Sequence, residues 1–321
     1  MPVRVSVVTP FYNTGQYLEE CIQSVLAQSF KDFEYILVNN CSTDNSLAIA
    51  QKYADADSRI RLFSNDRFLN QVQNYNRSLA LVSQESRYCK MVQADDWIYK
   101  HCLEEMVALA DTDARIGIVS SYRLAGRQVK EVGLDCRESV LPGRAVCRKQ
   151  LLEACHFFGS PSTLLFRSDI VRSRRPFYAE GRLHEDTEAC YEILEDCDFG
   201  FVHQVLSFSR TENDSIMSST RRFNPALLDK LIIVRKYGRN CLDPDEFAAC
   251  WRSHESRYLR YLAESALRFR GRDFWDYHIK GLATAGYRLS SIRLAAQLVL
   301  VVIDLVLNPK HTMTRALRAF R

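Results

Sequence analysis

The 321-residue chain contains no Gly-x-Gly-x-x-Gly and no Gly-x-x-x-x-Gly-Lys-Ser/Thr, so neither a dinucleotide fingerprint nor a P-loop is available to hold a phosphate. It has no Cys-x-x-Cys. Its 11 cysteines are scattered without a paired framework, and several, such as Cys102 and Cys250, fall inside helical patterns, so reduced thiols in a cytosolic protein are expected. No repeat of fixed period emerges, which excludes a solenoid. The most apolar stretch, Leu294 to Leu307, is 14 residues long and includes Gln297 and Asp304, too short to span a bilayer. The amino terminus enters a strand pattern at once, with no basic region leading into a long apolar run, so no signal peptide is expected. Charge is nearly balanced as well: a formal +4 gives no case for a nucleic-acid partner. Basic residues nevertheless gather after Arg221.

What is present, 47% hydrophobic and 26% charged residues, can bury a sizeable core and divide into two domains. Val3 to Thr9 is rich in β-branched residues and is expected to be a buried strand stopping at Pro10. Tyr17 to Leu26 has helical apolar spacing, Phe33 to Val38 reads as a strand, Ser46 to Tyr53 as a helix and Ile60 to Phe63 as a strand. Alternation of this kind predicts a mainly parallel sheet with right-handed crossovers, its ligand lying beyond the strand ends. Those ends carry Tyr12, Asn13, Asn39, Asn40 and Asp44. A further apolar segment, Tyr88 to Val92, is interrupted by Lys90 and ends at Asp95 and Asp96, before a helix pattern running through Met106 and Leu109. Two carboxylates side by side at a strand end suit a hard divalent ion carrying a diphosphate; a lone Asp-Asp pair is more often a helix cap with an exposed neighbour.

The segments Val-Ser-Val-Val-Thr-Pro-Phe-Tyr-Asn, Ser-Thr-Asp-Asn-Ser and Ala-Asp-Asp-Trp, in this order and with the helix and strand between the first two, resemble the family 2 glycosyltransferases of GT-A fold. The resemblance runs over roughly residues 3 to 215. It implies an inverting transferase that moves a sugar from a nucleotide-diphosphate donor to a saccharide or glycolipid acceptor hydroxyl, normally with Mn²⁺ or Mg²⁺. Carried over by position, Pro10, Tyr12, Asn40, Asn76 and Asp95 contact the nucleotide, with Tyr12 stacking on the base and Asn40 at its edge. Asp96 binds the metal, with Asp95 and Glu212 as further ligands, and Asp186 of the Glu185–Asp186 pair is the catalytic base. By the same analogy the product is a bacterial surface polysaccharide or glycolipid, made by a cytoplasmic enzyme at the inner face of the cell membrane.

The chain departs from the family at several points, among them Ser78 in place of the Gly of an Asn-x-Gly helix start. Asn39 and Asn40 stand where Asp-Asp is usual, which weakens the inference of a uridine donor because an amide donates as well as accepts. Gln93 replaces the first Asp of the acidic motif. Glu212 occupies the place of a customary His. A nucleotidyltransferase would want a Gly-rich basic loop after the first strand, which Pro-Phe-Tyr-Asn-Thr-Gly does not supply. A catalytically inactive nucleotide-sugar-binding scaffold is the reading from another class, motivated by Asn39, Asn40 and Gln93.

Ser160 to Thr163 is expected to line the acceptor side, Val129 to Val140 to be a surface connection, and Phe201 to Phe208 a last strand. The sequence thus divides into a GT-A domain over residues 1–220 and an all-α region over 221–321. Helices are expected at Leu227 to Tyr237, from Asp243 to about Phe269, at Phe274 to Leu282 and at Ile292 to Leu307. In the last, Arg293, Gln297, Asp304 and Asn308 form one narrow polar stripe at 100° per residue. Such a helix packs on the protein or a second subunit, or lies in a membrane interface beside Arg288, Arg315, Arg318 and Arg321.

Overall fold

The computed structural model describes residues 3–153, 155–181, 185–211 and 221–308. The chain falls into two compact units divided between Asn213 and Asp214.

The first unit is an α/β sheet domain. Its strands are β1 (Val5–Phe11), β2 (Phe33–Asn39), β3 (Ile60–Ser64), β4 (Tyr88–Met91), β5 (Trp97–Ile98), β6 (Ile116–Ala125), β7 (Gln128–Lys130), β8 (Val140–Pro142), β9 (Leu165–Arg167) and β10 (Asp198–Ser209). Between them run α1 (Leu18–Leu26), α2 (Ser46–Ala56), α3 (Gln71–Leu79), α4 (Cys102–Ala110), α5 (Gly143–Leu152), α6 (Ser168–Ser173) and α7 (Glu185–Ile193). The sheet order is β3-β2-β1-β4-β9-β6-β10-β5, with β7 on β6 and β8 on β10. The strands β3, β2, β1 and β4 are mutually parallel. Antiparallel β9 then joins β4 to β6, which is parallel to β10.

β1 and β2 are buried along their whole length, as β-branched runs covered on both faces should be. Tyr35, Leu37, Val5 and Val7 meet Leu18, Cys21, Ile22 and Val25 of α1 in one core. Chain order departs from spatial order between β1 and β4: β2 and β3 lie to one side of β1, and β4 to the other. That reversal opens a crevice beyond the carboxyl ends of β1 and β4.

Several expectations shift. β1 continues through Pro10, which pairs with Val38, while the β1–β4 ladder stops at Val8 and Met91. A strand paired on one side there tolerates the missing N–H. Residues 129–140 are more than a surface connection, because β7 forms a hairpin on β6 and Val140 begins β8 on β10. The two-residue β5 comes between the acidic pair and α4, and pairs with Ser207 and Phe208 of β10.

The second unit is helical: α8 (Pro225–Cys241), α9 (Pro244–Leu267), α10 (Arg272–Thr284) and α11 (Ser291–Leu307). α9 starts on a capping box between Asp243 and Glu246, with Pro244 at its first position. Leu228, Leu231, Ile232, Tyr258, Leu262, Phe274 and Leu282 make its core.

Candidate active site

The crevice at the switch point is built first from backbone turns. Asn13 and Cys41, at the ends of β1 and β2, adopt left-handed φ values of 50° and 59°. Asparagine tolerates that region because its short amide bonds locally. Here Thr43 N–H donates to Asn13 Oδ1 (2.8 Å), and Asn13 N–H donates to Ser42 Oγ (3.1 Å). Asp44 accepts from Gly15 N (2.9 Å) and Ser46 N (3.0 Å). Burial raises the Asp44 carboxyl, but the bonds from Ser46 and Gly15 outweigh it and leave the group below its usual range. The two loops therefore hold each other and present Tyr12 outward, 44% exposed, its ring edge-on to exposed Phe68 at 4.8 Å between centroids.

The asparagines beside Tyr12 are engaged in the fold itself. Asn40 is buried, and its Nδ2 donates to Leu69 O (2.8 Å) while its Oδ1 accepts from Leu69 N (3.0 Å) and Asn65 Nδ2 (3.0 Å). This amide replaces a stretch of missing backbone ladder, and leaves one N–H for a ligand. A carboxylate at position 40 would set an oxygen against the Leu69 carbonyl, which gives a physical reason for Asn. Asn39 Oδ1 accepts from Ser42 N (2.9 Å). Asn76 does for Tyr178 what Asn40 does for Leu69: its Nδ2 donates to Tyr178 O, its Oδ1 accepts from Tyr178 N, both at 2.8 Å. Its expected nucleotide contact thus falls on an amide already tied to the chain that leads to α7. Pro10 is buried within β1.

Across the crevice, Asp96 is 4% exposed and Asp95 half-buried. Burial first, and then the neighbouring Asp95 charge, push the Asp96 carboxyl up to about 7, against hydrogen bonds from Ser162 and Ser209. Ser209 Oγ donates to Asp96 Oδ2 at 2.9 Å, and Ser162 Oγ also accepts from Gln93 N at 2.9 Å. Two hard oxygen donors whose joint ionisation is opposed by burial fit a divalent cation, which would supply the missing positive charge. Among the described residues no group of three His, Cys, Asp or Glu gathers for a metal, and Glu212 lies outside those residues.

Sequence reasoning missed the groups that support this pair. Lys90 is fully buried, and its Nζ donates to the carbonyls of Ser162 (2.8 Å) and Leu164 (3.2 Å); burial lowers its pKa. It fixes the turn carrying Ser162, and its signal was the one charge inside an apolar strand. Arg123 makes a two-pronged pair with buried Glu131 (3.0 and 3.3 Å) and adds positive charge near Asp96. Tyr75 OH receives from Gln71 (2.6 Å) and from Gln93 (2.9 Å), so Gln93 supports a tyrosine where the family places a carboxylate.

On the acceptor side, Ser160 precedes a turn of 3-10 helix at Pro161–Thr163. Asp186 is half-buried in the first turn of α7, where its Oδ1 accepts from Thr187 N at 2.7 Å, and Glu185 is buried. Burial and then the charges of Asp95 and Glu185 raise Tyr75, so this hydroxyl feels both the acidic pair and the start of α7. Burial also raises Tyr178, followed by the charge of Asp186, and the Tyr178 hydroxyl has no partner among the described residues. The charge of Glu185 also acts on Tyr178.

The sheet order, its switch point and the acidic pair just beyond β4 are those of a GT-A fold. Residues 6–172 match the family model described as "Glycosyl transferase family 2", and the chain belongs to that family. It is 34% identical over 180 residues to the glycosyltransferase GlyG of Streptococcus pneumoniae, an alignment spanning 48% of this chain. The chain spans 59% of GlyG's own length. Among solved structures, S. aureus TarS in complex with UDP-GlcNAc shares the fold with a TM-score of 0.64 at 17% identity, over 88% of this chain and 80% of that one. The mannosyltransferase PcManGT of Pyrobaculum calidifontis, in complex with GDP-Man and Mn²⁺, gives 0.58 at 16% identity, over 97% and 83%.

Proposed function

We propose that the chain is an inverting glycosyltransferase that moves a sugar from a nucleotide-diphosphate donor to an acceptor hydroxyl in bacterial polysaccharide or glycolipid synthesis. The observation that carries this reading is the buried Asp96 beside Asp95 at the switch point, a carboxyl raised by burial and by that neighbouring charge. Tyr12, with Phe68 at its edge, is the platform for the base, and Asn40 is assigned to the base edge. TarS is in complex with UDP-GlcNAc and PcManGT with GDP-Man, so the shared fold leaves the base open. Mn²⁺ or Mg²⁺ held by Asp96 and Asp95 would neutralise the departing diphosphate.

Single displacement needs a base on the face of the sugar opposite the diphosphate. Asp186, at the start of α7, is assigned that role, with Glu185 as the competing carboxylate. A base takes the acceptor proton as the hydroxyl attacks the anomeric carbon and the bond to diphosphate breaks.

The test is turnover of UDP-, GDP- and CDP-sugars with Mn²⁺. Asp186→Asn should lose roughly 10²- to 10⁴-fold in turnover at nearly constant donor affinity. A severe loss in Glu185→Gln alone moves the base to Glu185. Donor binding without turnover by the unaltered chain supports the scaffold reading instead.

A further inference from the structure

In the helical unit, α11 bonds its polar stripe to α9 and turns a row of apolar residues outward. Val301 is the only buried one of its 17 residues, and half-buried Leu294, Gln297, Leu298 and Asp304 share that inner face. The polar stripe is bonded to α9: Arg293 Nη1 donates to Glu255 (2.7 Å), and Arg260 of α9 pairs with Asp304. Ser290 caps the helix. On the outside stand Val299, Leu300, Val302, Ile303, Val306 and Leu307, from 42% to 73% exposed. No helix among the described residues is long and apolar enough to cross a membrane.

In the sequence, cations stand on either side of α11. Arg288 and Arg293 precede or begin it, and residues 309–321 carry Lys310, Arg315, Arg318 and Arg321 without one Asp or Glu. A second copy of the helix would bring cationic ends together in either orientation. Asp304 is committed to Arg260, and Glu255 to Arg293 and to Tyr287 OH (2.8 Å), so the cations left to be met are Arg288 and those of residues 309–321. An apolar face bounded by cations matches the acyl boundary and phosphates of an anionic bilayer.

We propose that α11 lies in the interface of an anionic lipid surface, its outer face among the acyl chains and its flanking cations on the lipid phosphates. This attachment is independent of the transferase reading, since its readout is binding to lipid.

Flotation of the full chain with vesicles of phosphatidylcholine containing about a third phosphatidylglycerol tests it. The chain should float with these vesicles, and several-fold less with phosphatidylcholine alone or in high salt. Leu300→Glu combined with Val306→Glu, both at exposed positions, should reduce flotation about tenfold or more with an unchanged melting curve. Val299→Trp should show a blue-shifted emission quenched by lipids brominated along the chain, which keeps the proposal testable if the double variant fails to fold. Equal flotation of the double variant, or a tryptophan emission that lipid leaves unchanged, overturns it. A stable dimer that the double variant splits, in a chain that does not float, assigns the face to a second copy and also overturns it.

Discussion

The two units bury and expose opposite chemistries. The sheet unit encloses Lys90, Asp96, Glu131 and Glu185, each less than a tenth exposed. The helical unit partners His278, its buried histidine, on both ring nitrogens, and turns the apolar face of α11 outward. Holding an under-compensated carboxylate inside, or a row of aliphatic side chains outside, stabilises neither unit by itself. On the two readings proposed above, each arrangement is completed from solution, by a cation with its diphosphate in one case and by a lipid surface in the other.

The strongest way to break that contrast is Asp96→Asn. It should lower transfer by on the order of 10³-fold, and leave the melting temperature equal or higher, because a neutral amide relieves the buried charge beside Asp95. Kinetics with added Mn²⁺ and thermal melts on the same preparation decide it. If activity and stability fall together, Asp96 is a member of the core and the sheet unit holds no charge in reserve.

In the helical unit the corresponding test is pH. His278 Nε2–H donates to Phe223 O (3.0 Å), which leaves Nδ1 to accept from Tyr258 OH (2.7 Å), and burial lowers the ring's pKa from 6.5 to about 4. The unfolded chain therefore binds the proton more readily between these values. Stability is complete above pH 6.5 and is lost as pH falls toward 4, by at most about 3 kcal/mol. His278→Gln should flatten the pH dependence of the helical unit's unfolding. An unchanged slope in that variant would mean that the loss comes from other groups.

Much of the sheet unit was legible because its strand ends are punctuated: β-branched runs stop close to Asn13, Asn39 and Asp95–Asp96. β6 was not, since Ile116–Ala125 contains Gly117, Ser120 and Ser121 and has neither alternation nor a clean apolar run. Three-residue β9 is too short for any period to show. The site was legible as a set of residues but not as a set of bonds. Asn40 and Asn76 stand where a nucleotide contact is expected, yet their amides close on Leu69 and Tyr178, 29 and 102 positions away, and no local pattern carries such a pairing. In α11 the polar stripe was visible from spacing alone; that it faces α9 depends on Glu255 and Arg260, which only the fold brings near.

Asn76→Ala separates clamp from contact. Removing both bonds leaves a backbone N–H and C=O of Tyr178 unmet, at a cost of about 2 kcal/mol, while donor affinity measured calorimetrically should stay within a factor of about two of the parent. Lost affinity at full stability would return Asn76 to the nucleotide and would make the two sides of the crevice alike.

The smallest effect concerns how weakly α11 is held. Arg293→Gln removes the pair with Glu255, whose carboxylate keeps the Tyr287 hydroxyl as a donor, and the arginine side chain is 61% exposed. Such a pair contributes roughly 0.5 kcal/mol, so the melting temperature of the helical unit should move by only about 2–4 °C. With Val301 the sole buried residue of α11 and its ion pairs each this weak, the helix opens at a small fraction of the unit's global stability. Its backbone amides should then exchange with deuterium well before those around Tyr258 and Leu262 in α9, faster still in Arg293→Gln, and should slow when anionic vesicles are added. Amides in α11 that are protected as strongly as those of α9 in lipid-free solution would show that its outer face is already covered, and the contrast between the two units would then rest on the sheet alone.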